Sequence, residues 1–236
     1  MIVVTVHNSK GGCGKTTTAC NLAVNLANAG ARVLLIDGDP QASATLGLGS
    51  TYRRAVFDWL VGNTFRPDGV RTRLDLLPGQ PTPDWRDKVT ADILVQRTNR
   101  LQYDWMIVDT HPEYDRAVAS FIEISDIILI PVDLGYYSVA RLANFMPEMP
   151  KDRILGLVPV RYDLRMNSSI ELLDMLKKAG GGAVAPPIRQ SAALENAARK
   201  GLAACEYDPR SRGAEDYQIL TEWMVKRFAE AQESTR

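Results

Sequence analysis

Six continuous runs of apolar, largely β-branched residues punctuate the chain: Ile2 to Val6, Val33 to Ile36, Leu74 to Leu77, Trp105 to Val108, Ile127 to Val132 and Ile154 to Val160. Continuous rather than alternating hydrophobicity is the pattern of strands buried on both faces of a parallel sheet. A helical stretch follows each run. The order therefore predicts right-handed βαβ crossovers and an α/β fold, a doubly wound, mostly parallel sheet with helices on both faces. Between the runs, Tyr52 to Val61 predicts a short helix, Asn63 to Gly69 a loop and Pro78 to Pro83 a turn-rich connector. Asp84 to Leu101 predicts an amphipathic helix with Trp85, Val89, Ile93, Val95 and Leu101 inward, and Gly180 to Pro187 should end a helix before a short strand. No repeat or low-complexity segment divides the chain, so residues 1–236 are expected to form one domain.

In a doubly wound sheet, ligands bind beyond the carboxyl ends of the strands. Behind the first run stands Lys10-Gly11-Gly12-Cys13-Gly14-Lys15-Thr16-Thr17, and Thr16 to Ala29 reads as a helix. Strand, glycine-rich turn and helix bring successive backbone N–H groups and a helix N-terminus to one point, a ready site for a phosphate chain. Lys15 can reach the β- and γ-phosphates there, and the Thr16 hydroxyl can ligate Mg²⁺. The strict pattern G-x-x-x-x-G-K-[ST] fails, because Ser9 stands at its first glycine and a second lysine, Lys10, opens the loop. An ordinary strand-to-helix turn accounts for glycines but not for two lysines bracketing them.

Polar groups also follow the later runs: Asp37-Gly38-Asp39-Pro40-Gln41, Asp109-Thr110-His111-Pro112, Asp133 with Tyr136 and Tyr137 beyond it, and Arg161-Tyr162-Asp163-Leu164-Arg165. Asp109, at a strand end facing the loop, suits a carboxylate that orients a Mg²⁺-bound water. Of Asp37 and Asp39, one can support the Mg²⁺ shell and the other the attacking water. The alternative is a turn in which Asp39 caps the following helix. No Asn-Lys-x-Asp, the guanine-reading pattern, follows a late strand, which favours ATP over GTP.

Composition narrows the partners. Hydrophobic content of 45% and 24% charged residues are ordinary for a globular protein. The 28 basic and 28 acidic residues balance, so a nucleic-acid surface must be a local patch. Between Lys151 and Arg212, eleven Lys and Arg face seven Asp and Glu, a modest excess. Cys13, Cys20 and Cys205 fit neither a disulfide framework nor a zinc spacing, and Cys13 reads as a small filler. With no signal-peptide pattern and no apolar run long enough for a membrane span, a cytoplasmic location is expected.

The loop Lys10 to Thr16 resembles the deviant Walker A motif of the ParA/MinD group of ATPases. Asp37-Gly38-Asp39-Pro40-Gln41 is similar to the Asp-x-Asp-Pro-Gln of ParA-type partition proteins. Tyr103-Asp104, Ile130-Pro131-Val132, Tyr136-Tyr137 and the stretch Glu206 to Tyr217 extend the likeness over nearly the whole chain. The resemblance implies an ATP- and Mg²⁺-dependent homodimer in which Lys10 reaches the partner's phosphates. Lys15, with Gly11, Gly12, Cys13, Gly14, Thr16, Thr17, Asp109, Arg161 and Pro187, would bind the nucleotide. Thr16, Asp37 and Asp109 would serve the metal, and Asp39 the hydrolytic water. It further implies nucleoid-associated binding of double-stranded DNA without sequence preference, through Arg165 and Arg189, and a ParB-like or other cargo adaptor. Thr110-His111-Pro112 departs from the family's Cys-Pro-Pro, and His111 reads as a variant loop residue ahead of the alternative, a switch residue. A MinD-like membrane-associated regulator and a nucleotide-gated binding protein with little turnover are the alternatives. The polar, partly acidic ending Glu230 to Arg236 makes membrane targeting the weaker of these readings.

Overall fold

The computed structural model describes residues 1–80, 86–135, 146 and 149–234. Among them, one seven-stranded sheet is built from β1 (Ile2–Val6), β2 (Val33–Gly38), β3 (Asp68–Arg71), β4 (Leu74–Leu77), β5 (Trp105–Thr110), β6 (Ile127–Asp133) and β7 (Ile154–Val160). Their order is β3-β4-β2-β5-β1-β6-β7, and every pair is parallel except β3 with β4. Strand β1 sits between β5 and β6. The chain leaves it toward β2 on one side and later crosses to β6 and β7 on the other. That reversal opens a crevice at the carboxyl end of β1, where the glycine-rich loop begins.

Helices cover both faces: α1 (Lys15–Asn28), α2 (Ser43–Gly47), α3 (Ala55–Val61), α4 (Ala91–Thr98), α5 (Arg116–Ile124), α6 (Asn167–Gly180), α7 (Ala192–Arg199), α8 (Ala204–Tyr207) and α9 (Arg212–Ser234). On one face Leu22 and Leu26 of α1 and Leu220 and Met224 of α9 pack on Leu35 and Ile107. On the other, Val56 and Trp59 of α3 and Phe121 of α5 meet Leu34, Ile36 and Met106. Leu176 of α6 closes a third cluster with Ile128, Ile130 and Leu157. Burying each such side chain contributes roughly 1.5–3 kcal/mol. Because α1 is buried nearly all round, its polar residues find partners: Thr18 with the Tyr217 hydroxyl at 3.1 Å, and Asn25 with Thr221 at 3.3 Å. The helix that launches the loop is thereby fixed to α9.

Several sequence expectations are corrected. The predicted loop Asn63 to Gly69 gives way at Asp68 to β3, an antiparallel edge strand; with Val70 as its only large apolar residue it has no run to read. The helix expected over Asp84 to Leu101 is a 3₁₀ turn, Arg86–Lys88, followed by α4. Thr90 starts α4 by accepting a hydrogen bond from the Ile93 N–H. This later start turns Leu94 and Thr98 inward and leaves Val95 exposed. The short helix begins at Ala55 rather than Tyr52, and among the described residues the segment after Gly180 forms no strand and meets the sheet side through isolated bridges, Leu157 to Val184 and Tyr162 to Arg189. Helix α9 begins at Arg212, with the Ser211 hydroxyl accepting from the Ala214 N–H. Trp85 and the Tyr136-Tyr137 pair lie outside the described residues.

Strands β2 and β5 outrun their apolar cores, so Asp37 and Gly38 lie in register with Asp109 and Thr110. A Cβ on Gly38 would stand 2.7 Å from the Asp109 carbonyl oxygen, a backbone atom with no room to yield. Gly38→Ala is expected to cost about 1–3 kcal/mol, read as a lowered urea midpoint with unchanged m-value.

Candidate functional site

The loop is shaped by its own backbone and by Asn8. The Asn8 side chain donates to the Pro131 carbonyl at 2.7 Å and accepts from the Lys10 N–H at 2.9 Å, tying the loop's first turn to β6. Gly14 adopts φ 86°, a left-handed conformation that favours glycine, and α1 starts directly behind it. Lys15 is buried, and its ammonium donates to the Lys10 carbonyl at 3.1 Å, spanning the loop. Cys13 is buried beneath the loop, which lifts its thiol pKa above the ordinary value. That position suits a filler and not a reactive thiolate. Lys10 points elsewhere. Its ammonium donates to Asp133 Oδ2 at 2.7 Å, and Arg161 Nη1 lies 3.6 Å from the same oxygen.

Three carboxylates stand at the ends of β2 and β5. Asp109 is fully buried, and neither oxygen has a hydrogen-bond partner; the Thr16 hydroxyl is near enough to favour its ionised form without bonding geometry. Burial first, and neighbouring Asp37 second, push its pKa well above the carboxylate range. A buried, unpaired carboxyl is costly, and a bound cation is the usual remedy. Asp37 is different. Its Oδ2 accepts from the Thr45 N–H at 2.7 Å and the Thr45 hydroxyl at 2.6 Å, and its Oδ1 from the Asp39 N–H at 3.4 Å. Burial raises its pKa to about 6 against these hydrogen bonds. These bonds tie the end of β2 to α2 and to the loop that carries Asp39. Asp39 accepts from the Gln41 N–H at 2.8 Å, the turn geometry its neighbours suggested, and still lines the cavity over the loop. Among the described residues no three His, Cys, Asp or Glu side chains form a metal cage. A divalent cation here would draw most of its ligands from phosphate and water, as Mg²⁺ does.

Two adjoining cavities open above these groups. One, about 510 Å³, is lined by Gly11, Gly12, Gly14, Lys15, Thr16, Thr17, Asp39 and Arg161 among others. The second, about 550 Å³, continues past Gly14, Thr17 and Arg161 to Ile188, Arg189, Gln190 and Glu195. Together they provide a polar end over the loop and a neighbouring cleft with apolar walls. Pro187 lines neither; its neighbour Ile188 does. Arg161 takes φ 58°, a left-handed conformation uncommon for arginine.

Sequence reading missed two groups. His111 is no passive loop residue: it is buried, with Nδ1 3.3 Å from the Gly38 carbonyl and Nε2 2.9 Å from Asp115, the N-cap of α5. It ties the end of β2 to α5. His7 is the second. The Thr110 hydroxyl donates to the Val6 carbonyl at 2.9 Å, so it accepts from His7 Nδ1 at 2.8 Å and fixes that tautomer. Burial, then Lys15, depress the His7 pKa to about 3, keeping it neutral. Neither role follows a motif; both depend on which strand ends become neighbours.

Arg165 and Arg189 are brought together, with Arg212, around a cleft of about 380 Å³. Both predicted arginines are already paired. Arg165, largely exposed, forks onto Asp163 at 2.7 and 2.9 Å and holds that carboxyl down at about 2. Arg189 bonds Asp216 and Glu215, each at 2.6 Å, and Asp216 is buried. Arg212 is exposed and forms no ion pair among the described residues.

The raised Asp37 pKa has a definite sign. A carboxyl with a folded pKa near 6, above its ordinary 3.8, contributes stability fully below pH 3.8, and the contribution is lost as pH rises through 6. Asp37→Asn keeps an acceptor for Thr45 and removes this titration. The urea-unfolding free energy of the ligand-free variant is therefore expected to fall less steeply between pH 4 and 7, by up to one proton, about 1.4 kcal/mol per pH unit.

Comparison with known proteins places this geometry. The sporulation initiation inhibitor protein Soj of Bacillus subtilis is 31% identical, covering 92% of this chain and 96% of that protein. The chromosome-partitioning ATPase Soj of Thermus thermophilus is 31% identical over 97% of each chain. The septum site-determining protein MinD of Pyrococcus horikoshii, solved with Mg-ADP, superposes with TM-score 0.81 over 98% of each chain at 21% identity, a likeness of fold. The profile of the CobQ/CobB/MinD/ParA nucleotide binding domain matches residues 4–204. With the glycine-rich loop behind β1 and the buried Asp109 on the neighbouring strand, the chain belongs to the CobQ/CobB/MinD/ParA family of nucleotide-binding proteins.

Proposed function

We propose that residues 1–236 form one ATPase domain that works as a dimerisation switch: it binds ATP and Mg²⁺, closes a homodimer, holds double-stranded DNA without sequence preference, and hydrolyses ATP to segregate or position a cargo. The cargo is a chromosome, a plasmid or a protein assembly, engaged through a ParB-like or other adaptor. The observation that carries the nucleotide part is the buried, unpartnered Asp109 carboxylate behind Thr16 and Lys15. It is a site completed by a cation.

Roles follow from position. Backbone N–H groups of Gly11 to Thr17 would cradle the phosphates, Lys15 would neutralise them, and Thr16 and Asp109 would hold Mg²⁺. When bound, Mg²⁺ neutralises charge on the transferred phosphoryl group. Asp39, at the cavity wall, orients the water that attacks the γ-phosphate, so that ATP and water become ADP and phosphate. Asp37 keeps the β2 loop that carries Asp39 in place through Thr45. Arg161 and the segment at Pro187 flank the rest of the nucleotide. Lys10 is the residue that crosses to the partner's phosphates.

For DNA, Arg165 and Arg189 supply the cationic face, with Arg189 tied to Asp216 and Arg212 adjoining both at the cleft. Relatives at 31% identity that carry the name Soj favour this over a membrane-associated regulator. No helix among the described residues is long and apolar enough to cross a membrane.

Lys15→Ala is expected to weaken ATP binding at least about tenfold by calorimetry; unchanged affinity would remove the phosphate assignment. Asp39→Ala is expected to retain ATP-dependent dimers on DNA and to abolish phosphate release, and wild-type turnover in it would exclude Asp39 from water positioning. Two arginines per protomer make roughly four phosphate contacts in a dimer, a log–log salt slope near −3.6. Arg165→Ala should flatten that slope by about 1.8, two contacts per dimer, with basal ATPase retained. Arg189→Ala should also lower thermal stability, on the order of 2 kcal/mol or more, because it strands the buried Asp216; a DNA defect with an unchanged melting temperature would contradict the clamp.

A further inference from the structure

Lys10 faces a geometric conflict. To reach a second protomer it must extend away from its own loop, yet its ammonium is 2.7 Å from Asp133 Oδ2. Both side chains are more than half buried, at 33% and 19% exposure, so the pair is shielded from water more than a surface ion pair is. Asp133 ends β6, next to the loop's anchor at Pro131, and so is rigidly placed. Pulling Lys10 away would strand a largely buried carboxylate, a cost that would oppose dimer closure.

A second cation is already waiting. Arg161 Nη1 lies 3.6 Å from the same oxygen, beyond hydrogen-bond distance but within ion-pair reach. Arg161 directly follows β7, the strand that pairs Asp133 with Val160 in register. Its side chain is 56% exposed, so it has freedom to move, and its left-handed φ of 58° stores local strain where the two cavities meet. One carboxylate thus faces two cations, only one of which is in hydrogen-bond contact.

We propose that Asp133 is a positioning residue that holds Lys10 retracted in the free protomer and hands over to Arg161 when Lys10 leaves for the partner's phosphates. Asp133 and the partner-bound nucleotide compete for one ammonium, and Arg161 keeps Asp133 paired after the exchange. Asp133 therefore sets the protein concentration at which nucleotide closes the dimer. The inference rests on the proposed role of Lys10 in the dimer, and two readouts separate the two ideas.

In the nucleotide-free protomer, acetylation of Lys10 by N-hydroxysuccinimidyl acetate, followed by peptide mass spectrometry, is expected to be several-fold faster in Asp133→Asn than in wild type. Equal rates overturn retraction, whatever the dimer does. With saturating AMP-PNP, sedimentation should place the monomer–dimer midpoint of Asp133→Asn about fivefold lower in protein concentration, the scale of one partly shielded ion pair. Arg161→Gln should move it the opposite way, since Asp133 is then stranded. A midpoint unchanged or raised in Asp133→Asn overturns the competition, and one unchanged or lowered in Arg161→Gln overturns the handover. Wild type that stays monomeric with AMP-PNP, while Lys10 labelling still rises in Asp133→Asn, overturns the dimer reading and the competition but leaves retraction standing. Asp133→Ser repeats each measurement should Asp133→Asn melt below wild type.

Discussion

The structure turns on one carboxylate without a partner. Asp109 is buried at the end of β5, between β1 and β2, with its oxygens unbonded and Asp37 in register beside it. Two adjacent buried acids are unfavourable together, and the fold relieves only one. Thr45 and the Asp39 N–H take up the Asp37 oxygens, which fixes α2 and the β2 loop. Asp109 is left for what enters the cavity. Gly38 allows this arrangement, because any side chain there would collide with the Asp109 backbone. The cost at the strand ends is offset by the cores on both faces of the sheet, whose residues need no help from a ligand.

That division explains what could be read from the chain. The apolar runs located six of the seven strands because buried parallel strands write their burial directly into composition. Asp109 and the glycine-rich loop were legible for a related reason: charge and glycine directly behind such runs conflict with burial and with regular structure, so they mark a site. β3 escaped because an edge strand with Val70 alone carries no pattern, and Asp84 to Leu101 misled because apolar spacing continued across Thr90, where the helix actually starts. His111 and His7 were invisible as participants. Their partners, Gly38, Asp115 and Thr110, become neighbours only when β1, β2 and β5 are assembled.

The ion pairs around the site also divide by burial, and burial decides which can exchange. Arg189 is fastened to Asp216 near the start of α9, and Asp216 is only 6% exposed. Breaking that contact leaves a buried charge, so Arg189 acts first as a clamp between the Ile188 segment and α9. Arg165 on Asp163 is the opposite case, held in water by a fork that phosphate oxygens can replace with little loss of hydrogen bonding. The motif around Arg189 carries no sign of Asp216, twenty-seven residues away in sequence.

Lys10 and Asp133 lie between these extremes, and an intermediate burial is what a reversible contact needs. A fully buried pair would lock the lysine in place; a fully exposed one would place no constraint on it. Arg161 makes the exchange feasible because the carboxylate changes cations rather than losing one. The departure from the strict phosphate-loop pattern at Lys10 thus has a counterpart at the end of β6, one that neither residue indicates alone. The loop's first lysine is governed by the strand it leans on as much as by the phosphates it is proposed to reach.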